Sequence, residues 1–434
     1  MAITNDKSLQ RVVREIAITK LRSDGKSETQ IANILNINQS TVNRCLARTI
    51  HGRYVFEPKI PSSMTMPELT SMMDQMMNKG EFRTAIKDIA KNPALMIDVA
   101  VHKSQHENFA AKGFLPRTGQ LLSRLLERTE GYIGVTWGNE IRPYDLDIPG
   151  FVKRKPSQPP LKFIPLCGIN EGNANRLSRS STVLATRYSR LVNKGYDNKH
   201  TRPRLYNMNG LPVMHRIFND SDQLDREKTE AILDYVEETN PDAVAIYGRR
   251  KEPHTTSVLI NQVDTILTSV GEAGEHLRDH LDTWFPTTDT FNITVDGKVK
   301  QFDKDFICHE VSVGDIAGPI LPKPGPDYQR NRTICNAINA NLATLKPEHL
   351  SRCFERSRKR QLEYLEQVSK GDNRNPPPAG VIALVRGVKD KDALLVALAE
   401  GYVNRVIMDY ELEKSLISRI KHYDGNPSLE QLLD

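Results

Sequence analysis

The sequence predicts an N-terminal all-α domain of the winged helix-turn-helix type, followed by an α/β domain built on a parallel sheet. Between residues 8 and 48, apolar residues recur with the period of three short helices. After residue 131, apolar runs that end in glycine alternate with helical patterns, which is typical of parallel strands joined by crossover helices. The chain of 434 residues is too long for one ordinary domain, so we expect separate domains over residues 1–60 and 131–434.

Composition restricts the class of protein. Hydrophobic residues make up 38% of the chain and charged residues 26%, as in soluble globular proteins. No run of 18 apolar residues occurs, and the N-terminus lacks the apolar core of a secretory signal, so we expect a cytoplasmic protein. The five cysteines show no C-x-x-C spacing, which argues against a disulfide framework or a zinc site. We therefore expect neither a metal nor a cofactor.

Three helices open the chain, and we expect them over residues 8–23, 27–35 and 39–48. Each shows apolar residues on one face, and Ser27 is a suitable N-cap for the second helix. We expect residues 50–60 to form a short wing or an extended exit from this domain.

The spacing of the second and third helices is typical of a helix-turn-helix, which presents its second helix to the major groove of DNA. Ala32 is small enough for the two helices to cross closely, and Asn36 tolerates the left-handed conformation that the sharp turn needs. On the exposed face of the third helix, amide and guanidinium groups suit base edges, and hydroxyls suit phosphates. We expect DNA contacts from Thr29, Gln30, Asn38, Gln39, Ser40, Thr41, Asn43, Arg44 and Arg48.

Charge favours double-stranded DNA as a partner of this segment. The whole chain carries a formal net charge of +6, and residues 1–60 hold ten Lys or Arg against five Asp or Glu. Nearly all of the positive excess therefore lies in the N-terminal segment, where it would neutralise phosphates and release counterions. The alternative, an ordinary three-helix subdomain that binds no DNA, stays open.

We interpret residues 61–130 as a helical region that either connects the two domains or holds subunits together in an oligomer. Methionines at helical spacing there are more often packing residues than metal ligands. In the α/β domain, residues 346–378 look like an insertion, with an exposed charged helix and a Pro-rich return.

Five apolar runs predict the strands of the α/β domain, at 132–138, 161–168, 242–248, 380–387 and 404–409. In sheets of this kind, ligands bind beyond the carboxyl ends of the strands. The candidate site therefore lies on the turns after residues 138, 168, 248 and 387.

Four patches carry a family resemblance: IGVTWGNEI at 133–141, IPLCGINEG and SRSSTVLATRY within 164–188, VSVGDIAGPIL at 311–321, and the stretch 380–417. In this order, behind a helix-turn-helix, they resemble the SorC-type sugar-binding transcriptional regulators, which are related to the DeoR-type sensors. The resemblance implies a sensor domain of the ribose-phosphate isomerase/glucosamine-phosphate deaminase-like type. It also implies a homodimer or homotetramer on palindromic operator DNA, with a sugar or sugar phosphate as small-molecule effector.

The sheet pattern and the resemblance together place the effector on the strand-end turns. The expected contacts are Trp137, Gly138, Asn139, Glu140, Gly168, Arg179, Ser180, Ser181, Thr182, Gly248, Arg249, Asp315, Lys389 and Lys391. Hydroxyls beside Arg179 at a helix start suit an anion, and Asp315 suits sugar hydroxyls.

Three residues depart from the family's anion-binding pattern, namely Glu140, Arg386 and Asp390. A carboxylate at the first turn would repel a phosphate unless it turned away or paired with an arginine. Three interpretations therefore remain: a sugar-phosphate sensor, a sensor with an altered effector, and a domain that has lost its ligand and only assembles the protein.

Two other classes of protein compete with a regulator. One is an enzyme of the same fold with an appended DNA-binding module, for which Glu140, Asp315 or Glu310 would be the general base. The other is a DNA-binding subunit of a mobile element. No HExxH, GxSxG or Walker-type sequence occurs, so we assign no catalytic residue and expect no enzyme.

Overall fold

The contacts in a computed structural model of the chain divide it into two compact units. One holds the described residues up to 88 and those from 416 to 420, and the other holds residues 89–415. Most of the expected wing, at 51–60, lies outside the described residues. The structure describes residues 7–23, 26–50, 82–100, 118–127, 129–138, 140–143, 145–146, 148, 158–168, 180–194, 196, 203–208, 226–249, 258–284, 289–369 and 377–420.

The N-terminal helices form where the sequence predicts them: α1 (Lys7–Ser23), α2 (Glu28–Leu35) and α3 (Gln39–Ile50). Helix α2 begins with a capping box, in which the Ser27 hydroxyl accepts from the Gln30 backbone N–H and the Gln30 side chain accepts from the Ser27 N–H. The facing apolar sides of the three helices pack into one small core, made of Val13, Ala17, Ile18, Leu21, Ile31, Ala32, Leu35, Val42, Cys45 and Leu46.

The turn between α2 and α3 has the left-handed residue that the sequence predicts. Asn36 adopts φ +48° and ends α2, with its N–H directed to the carbonyls of Ala32 and Asn33. Ile37 N–H then donates to the Ala32 carbonyl at 2.9 Å. These bonds satisfy carbonyls at the end of α2, and they allow α3 to start only three residues later.

A six-stranded parallel sheet forms the centre of the second unit. Its strands are β1 (Met96–Ala100), β2 (Tyr132–Val135), β3 (Lys162–Pro165), β4 (Val263–Ser269), β10 (Gly380–Val385) and β11 (Arg405–Asp409). Their spatial order is β1-β11-β10-β4-β2-β3. Because all six strands are parallel, their carboxyl ends meet at one edge of the sheet, which we call the strand-end edge.

Two small antiparallel sheets complete the strand content of the described chain. One joins β5 (Gly271–Glu272), β8 (Ser312–Asp315) and β9 (Ile320–Pro322). The other is the hairpin of β6 (Thr290–Val295) and β7 (Lys298–Asp303), closed by Asp296-Gly297 with positive φ at both residues. An Asp-Gly pair is a preferred sequence for this two-residue turn.

Further helices follow α3 along the chain. Residues 82–89 (α4) and 118–127 (α5) are helical. The other long helices are α6 (Ser181–Val192), α7 (Arg226–Thr239), α8 (Pro241–Tyr247), α9 (Glu275–Trp284), α10 (Tyr328–Asn339), α11 (Pro347–Ser369), α12 (Lys391–Ala399) and α13 (Tyr410–Ile420).

The prediction of a strand at 242–248 is wrong, because this run forms helix α8. The Asn240 side chain caps the helix by accepting from the Ala243 N–H, and Pro241 occupies its first turn. Periodicity cannot distinguish a short apolar run in a strand from one in a helix, whereas an Asn-Pro start favours the helix. The central strand beside β2 is instead β4, which was not predicted as a strand.

Two further expectations need correction. Residues 96–100 lie in the range interpreted as a helical connector, but they form strand β1, which pairs with β11; Arg405 binds Asp98 across this pair at 2.7 Å. Helix α11, expected to be an exposed insertion, packs against β4 and β10 and buries Leu350, Cys353 and Phe354. In the described part of the chain, no helix is both long and apolar enough to cross a membrane.

Candidate functional site

Helix α3 has one buried and one exposed side. Val42, Cys45 and Leu46 face the core of the first unit. The opposite side is polar and open to solvent, and the Arg44 Nε donates to the Ser40 carbonyl at 3.1 Å along the helix. The exposed residues of this surface are Asn38, Gln39, Ser40, Asn43 and Arg44, with Thr41 half-buried beside them.

The remaining predicted DNA contacts differ in their surroundings. Thr29 is exposed on α2, but Gln30 uses its side-chain oxygen to cap that helix. Arg48 follows Arg44 one turn later in α3, and its side chain is outside the described part of the structure. Six residues of the predicted set therefore share one surface on and beside α3.

The turn after β2 is fixed by neighbouring hydroxyls. Thr136 and Ser269 both donate to the Trp137 carbonyl, at 3.1 and 3.2 Å. Gly138 has φ +148°, and a Cβ there would overlap the Ser269 side chain, so only glycine fits. The Trp137 ring stands edge-on to the His280 ring, with centroids 6.0 Å apart. Asn139 lies outside the described residues.

The turn after β3 leads to α6, and the hydroxyls assigned there to the effector have partners within the chain. Ser180 caps α6 by accepting from the Val183 N–H. Ser181 exchanges hydrogen bonds with the Cys167 backbone next to the buried Gly168, and Thr182 accepts from the Met208 N–H at 2.8 Å. Arg179 lies outside the described residues.

Gly248 and Arg249 are not at a strand end, because the segment before them is helical. Gly248 ends α8 with φ +83°, and Arg249 is exposed. The strand that ends beside β2 is β4, and the chain continues from its last residue, Ser269, to Glu272. None of these residues was predicted to belong to the site. Strand β4 was not predicted because only three of the seven residues in VDTILTS are apolar, although six of the seven are buried.

Asp315 lies at the end of β8 and is 2% exposed. Its Oδ2 accepts from the Gly318 N–H at 2.9 Å, whereas no described residue donates a hydrogen bond to Oδ1. The turn after Asp315 reaches the strand-end edge, because the Cys167 thiol contacts the Ala317 carbonyl at 3.4 Å. Asp315 therefore presents a half-satisfied buried carboxylate at this edge.

Carboxylates converge on Asp390, the residue before α12. Partial burial and the charges of Glu140, Glu272, Asp315 and Asp409 raise the pKa of Asp390 from 3.8 to about 7. These four residues come from different segments, so sequence spacing gives no signal of their convergence.

The basic residues predicted at the last turn do not balance this charge. Lys389 is 81% exposed, and its Nζ lies 3.6 Å from a Glu272 oxygen. Lys391 starts α12 and is half-buried, while Arg386 is exposed. Asp409 uses both oxygens within the chain, accepting from the Gly387 and Leu412 N–H groups.

The described residues contain no group of three or more His, Cys, Asp or Glu side chains placed to hold a metal ion. All five cysteines are buried, and burial raises the pKa of Cys308 to about 12. Glu310, a candidate base, is 62% exposed and lies 3.8 Å from Lys323.

No family model and no curated protein matches this chain. Among solved structures, it is similar to the full-length sorbitol operon regulator SorC of Klebsiella pneumoniae, with 14% identity, a TM-score of 0.44, and coverage of 95% of this chain and 100% of that one. A DeoR family transcriptional regulator of Listeria monocytogenes shows 16% identity and a TM-score of 0.43, over 77% and 97% of the two chains. A transcriptional regulator of Streptococcus pneumoniae shows 14% identity and a TM-score of 0.46, over 80% and 99%. SorC- and DeoR-type regulators are thus among the proteins to which this chain is similar, and they are the types that the four sequence patches resemble.

Proposed function

We propose that this chain is a SorC-like DNA-binding transcription regulator whose affinity for operator DNA responds to a small ligand. One observation carries the proposal. Asn36 in the left-handed conformation lets α3 follow α2 closely, and the polar side of α3 stays exposed. This pair lies in the segment that holds nearly all of the chain's positive excess, which suits a phosphate backbone.

In this proposal α2 and α3 form a helix-turn-helix, with α3 in the major groove. The amides of Gln39 and Asn43 suit adenine edges, and Arg44 suits guanine, each through paired hydrogen bonds. Ser40 and Thr41 suit phosphates and fix the register without reading sequence. Gln30 contributes less, because capping already engages its side chain.

We further propose a homodimer or homotetramer. Paired recognition helices then meet two half-sites about one DNA turn apart, on a palindromic operator. Effector binding changes DNA affinity only by its difference in affinity between the two arrangements of the oligomer.

The proposed effector site is the strand-end edge of the central sheet, in a domain of the sugar-phosphate isomerase-like type. Supporting it are the aromatic side chain of Trp137, the half-satisfied Asp315 and the closely packed glycine at 138, all at one edge. Of the three interpretations, an altered effector fits best, because the hydroxyls expected to bind a phosphate have partners within the chain.

One observation favours an enzyme as the second candidate. A carboxyl group whose pKa is about 7, as at Asp390, has the proton affinity of a general base. Purified protein should be incubated with ribose 5-phosphate and glucosamine 6-phosphate, and product formation measured. Turnover that Asp390→Asn abolishes would favour the enzyme, and a lack of turnover supports the regulator.

The experiment that tests the regulator directly is selection of bound duplexes from a random-sequence library by the purified full-length chain. We expect enrichment of an inverted repeat whose half-sites lie about one helical turn apart. Enrichment that Arg44→Ala removes and Lys300→Ala keeps would support α3 as the reading helix; Lys300 is an exposed cation on β7. Failure to enrich any sequence above the starting library would contradict the proposal.

A further inference from the structure

The strand-end edge collects negative charge from five separate segments. Glu140 follows β2, Glu272 ends β5, and Asp390 precedes α12 after β10. Asp409 ends β11, and Asp315 ends β8, where it lies opposite Gly271 of β5. Pairing of β5 with β8 brings the segments of Glu272 and Asp315 together, and the charges of Glu140, Glu272, Asp315 and Asp409 act on Asp390.

A second observation is independent of this clustering. Asp315 is buried, yet its Oδ1 has no hydrogen-bond donor among the described residues; the His280 Nδ1 stands 3.8 Å away. A buried carboxylate oxygen without a donor is costly, and a donor from a ligand would remove that cost. The same edge holds the Trp137 ring, and aromatic faces attract organic cations.

The chain's own cations do not fill this place. Lys389 approaches Glu272 from solvent, with its side chain 81% exposed. The Arg386 side chain is also exposed. Asp390, on which the other four carboxylates act, therefore has no ion pair with a basic side chain among the described residues.

The charge pattern discriminates between ligand classes. A phosphate at this edge would meet four or five carboxylates, and like charges in a partly buried place repel strongly. A metal ion needs several ligands within bonding distance, and the described residues hold no such group. An organic cation matches better, because its N–H groups donate charge-assisted hydrogen bonds to carboxylate oxygens and it needs no shell of several ligands at bonding distance.

We propose that the strand-end edge binds a small organic cation with an ammonium or guanidinium group, which donates to Asp315 Oδ1 and lies among the carboxylates of Glu140, Glu272 and Asp390. This inference rests on the proposed function, because it names the chemical class of the effector. It replaces the anion suggested by the family resemblance with a ligand of opposite charge.

The test compares ligands that differ in charge, using the full-length chain with Trp284→Phe so that fluorescence reports Trp137 alone. The probes are putrescine, agmatine and glucosamine as cations, glucose as the neutral match, and glucose 6-phosphate as the anion. We expect at least one amine to change the Trp137 emission with saturation, and glucose 6-phosphate to leave it unchanged. Saturable binding of glucose 6-phosphate, or no response to any of the three amines, would overturn the inference.

Charge-neutral variants locate the site. Asp390→Asn should weaken amine binding about tenfold, since a charge-assisted hydrogen bond or close ion pair is lost. Asp296→Asn is the matched control, because it makes the same change in the exposed β6–β7 turn. Equal amine affinity in both variants would overturn the placement. If Asp390→Asn fails to fold, Asp315→Asn serves with the same expectation.

A separate readout distinguishes this inference from the proposed function. Selection of DNA from the random-sequence library is run without ligand and again with each of the probes, so that its outcome does not depend on the ligand's charge. A chain that selects an operator but binds glucose 6-phosphate instead of amines refutes the cation and keeps the regulator. A chain that binds amines but selects no DNA refutes the regulator and keeps the cation site.

Discussion

Asp315 and His280 stand side by side without a hydrogen bond, with 3.8 Å between Asp315 Oδ1 and His280 Nδ1. The other oxygen of Asp315 is satisfied by the Gly318 N–H. A buried carboxylate with only one of its two oxygens hydrogen-bonded is typical of a binding site, where stability of the fold is reduced in favour of function.

Asp315→Asn should therefore raise the free energy of unfolding by about 1 kcal/mol, because it removes an incompletely paired buried charge. The asparagine oxygen can still accept from the Gly318 N–H. Urea unfolding of the two proteins measures the change, with Asp296→Asn as the control. A loss of more than about 1 kcal/mol would show instead that the carboxylate stabilises the fold.

Gly138→Ala should destabilise the chain, because a Cβ would overlap the Ser269 side chain and φ is +148°. We expect a cost of about 2–4 kcal/mol from overlap and backbone strain together. Gly297→Ala is the matched control, since φ is also positive there but a Cβ meets open space. If thermal unfolding gave equal losses for both variants, close packing against Ser269 would not be the reason for glycine at 138.

The pKa of Asp390 makes stability depend on pH. It is raised from 3.8 to about 7, so the folded chain retains a proton that the unfolded chain releases. The stabilising contribution of that proton is complete below the unfolded pKa, and it is lost as the pH rises through about 7. We expect Asp390→Asn to be more stable than the parent by about 1–3 kcal/mol above about pH 8, and equal to it near about pH 4. Chemical unfolding at several pH values checks this, and a parallel pH dependence of both proteins would refute the raised pKa.

Asn36→Gly should fold at least as well as the parent, whereas Asn36→Val should lose about 1–2 kcal/mol. The reason is φ +48°, which glycine adopts freely and a β-branched residue does not. Thermal unfolding followed by circular dichroism measures the difference. Equal stability of the two variants would mean that the left-handed turn does not form in solution.

The local elements of this fold are largely readable from the sequence. Helices α1 to α3 carry periodicity, a cap and a turn residue, all of which are short-range features. Strands β2, β3, β10 and β11 are apolar runs, and all four were predicted as strands. The segment 242–248 was misassigned because a short run with five consecutive apolar residues suits either structure, and only Asn240-Pro241 decides between them.

The candidate site was harder to predict than the fold. Its turns after β2, β3 and β10 were found, because strand ends define them. The carboxylate cluster depends on pairing between β5 and β8, which lie over forty residues apart, and on a central strand that was missed. The hydroxyls of Ser181 and Thr182 were predicted to contact the effector. Their hydrogen-bond partners are backbone groups of distant segments, which the sequence does not reveal.

The role of α3 in reading DNA is tested by gel shift, which measures the affinity of the parent, Arg44→Ala, Gln39→Ala and Lys300→Ala for a selected operator duplex. We expect a loss of about 1–3 kcal/mol in binding free energy for each of the two α3 variants, and near-parental affinity for Lys300→Ala. Parental affinity in both Arg44→Ala and Gln39→Ala would contradict it.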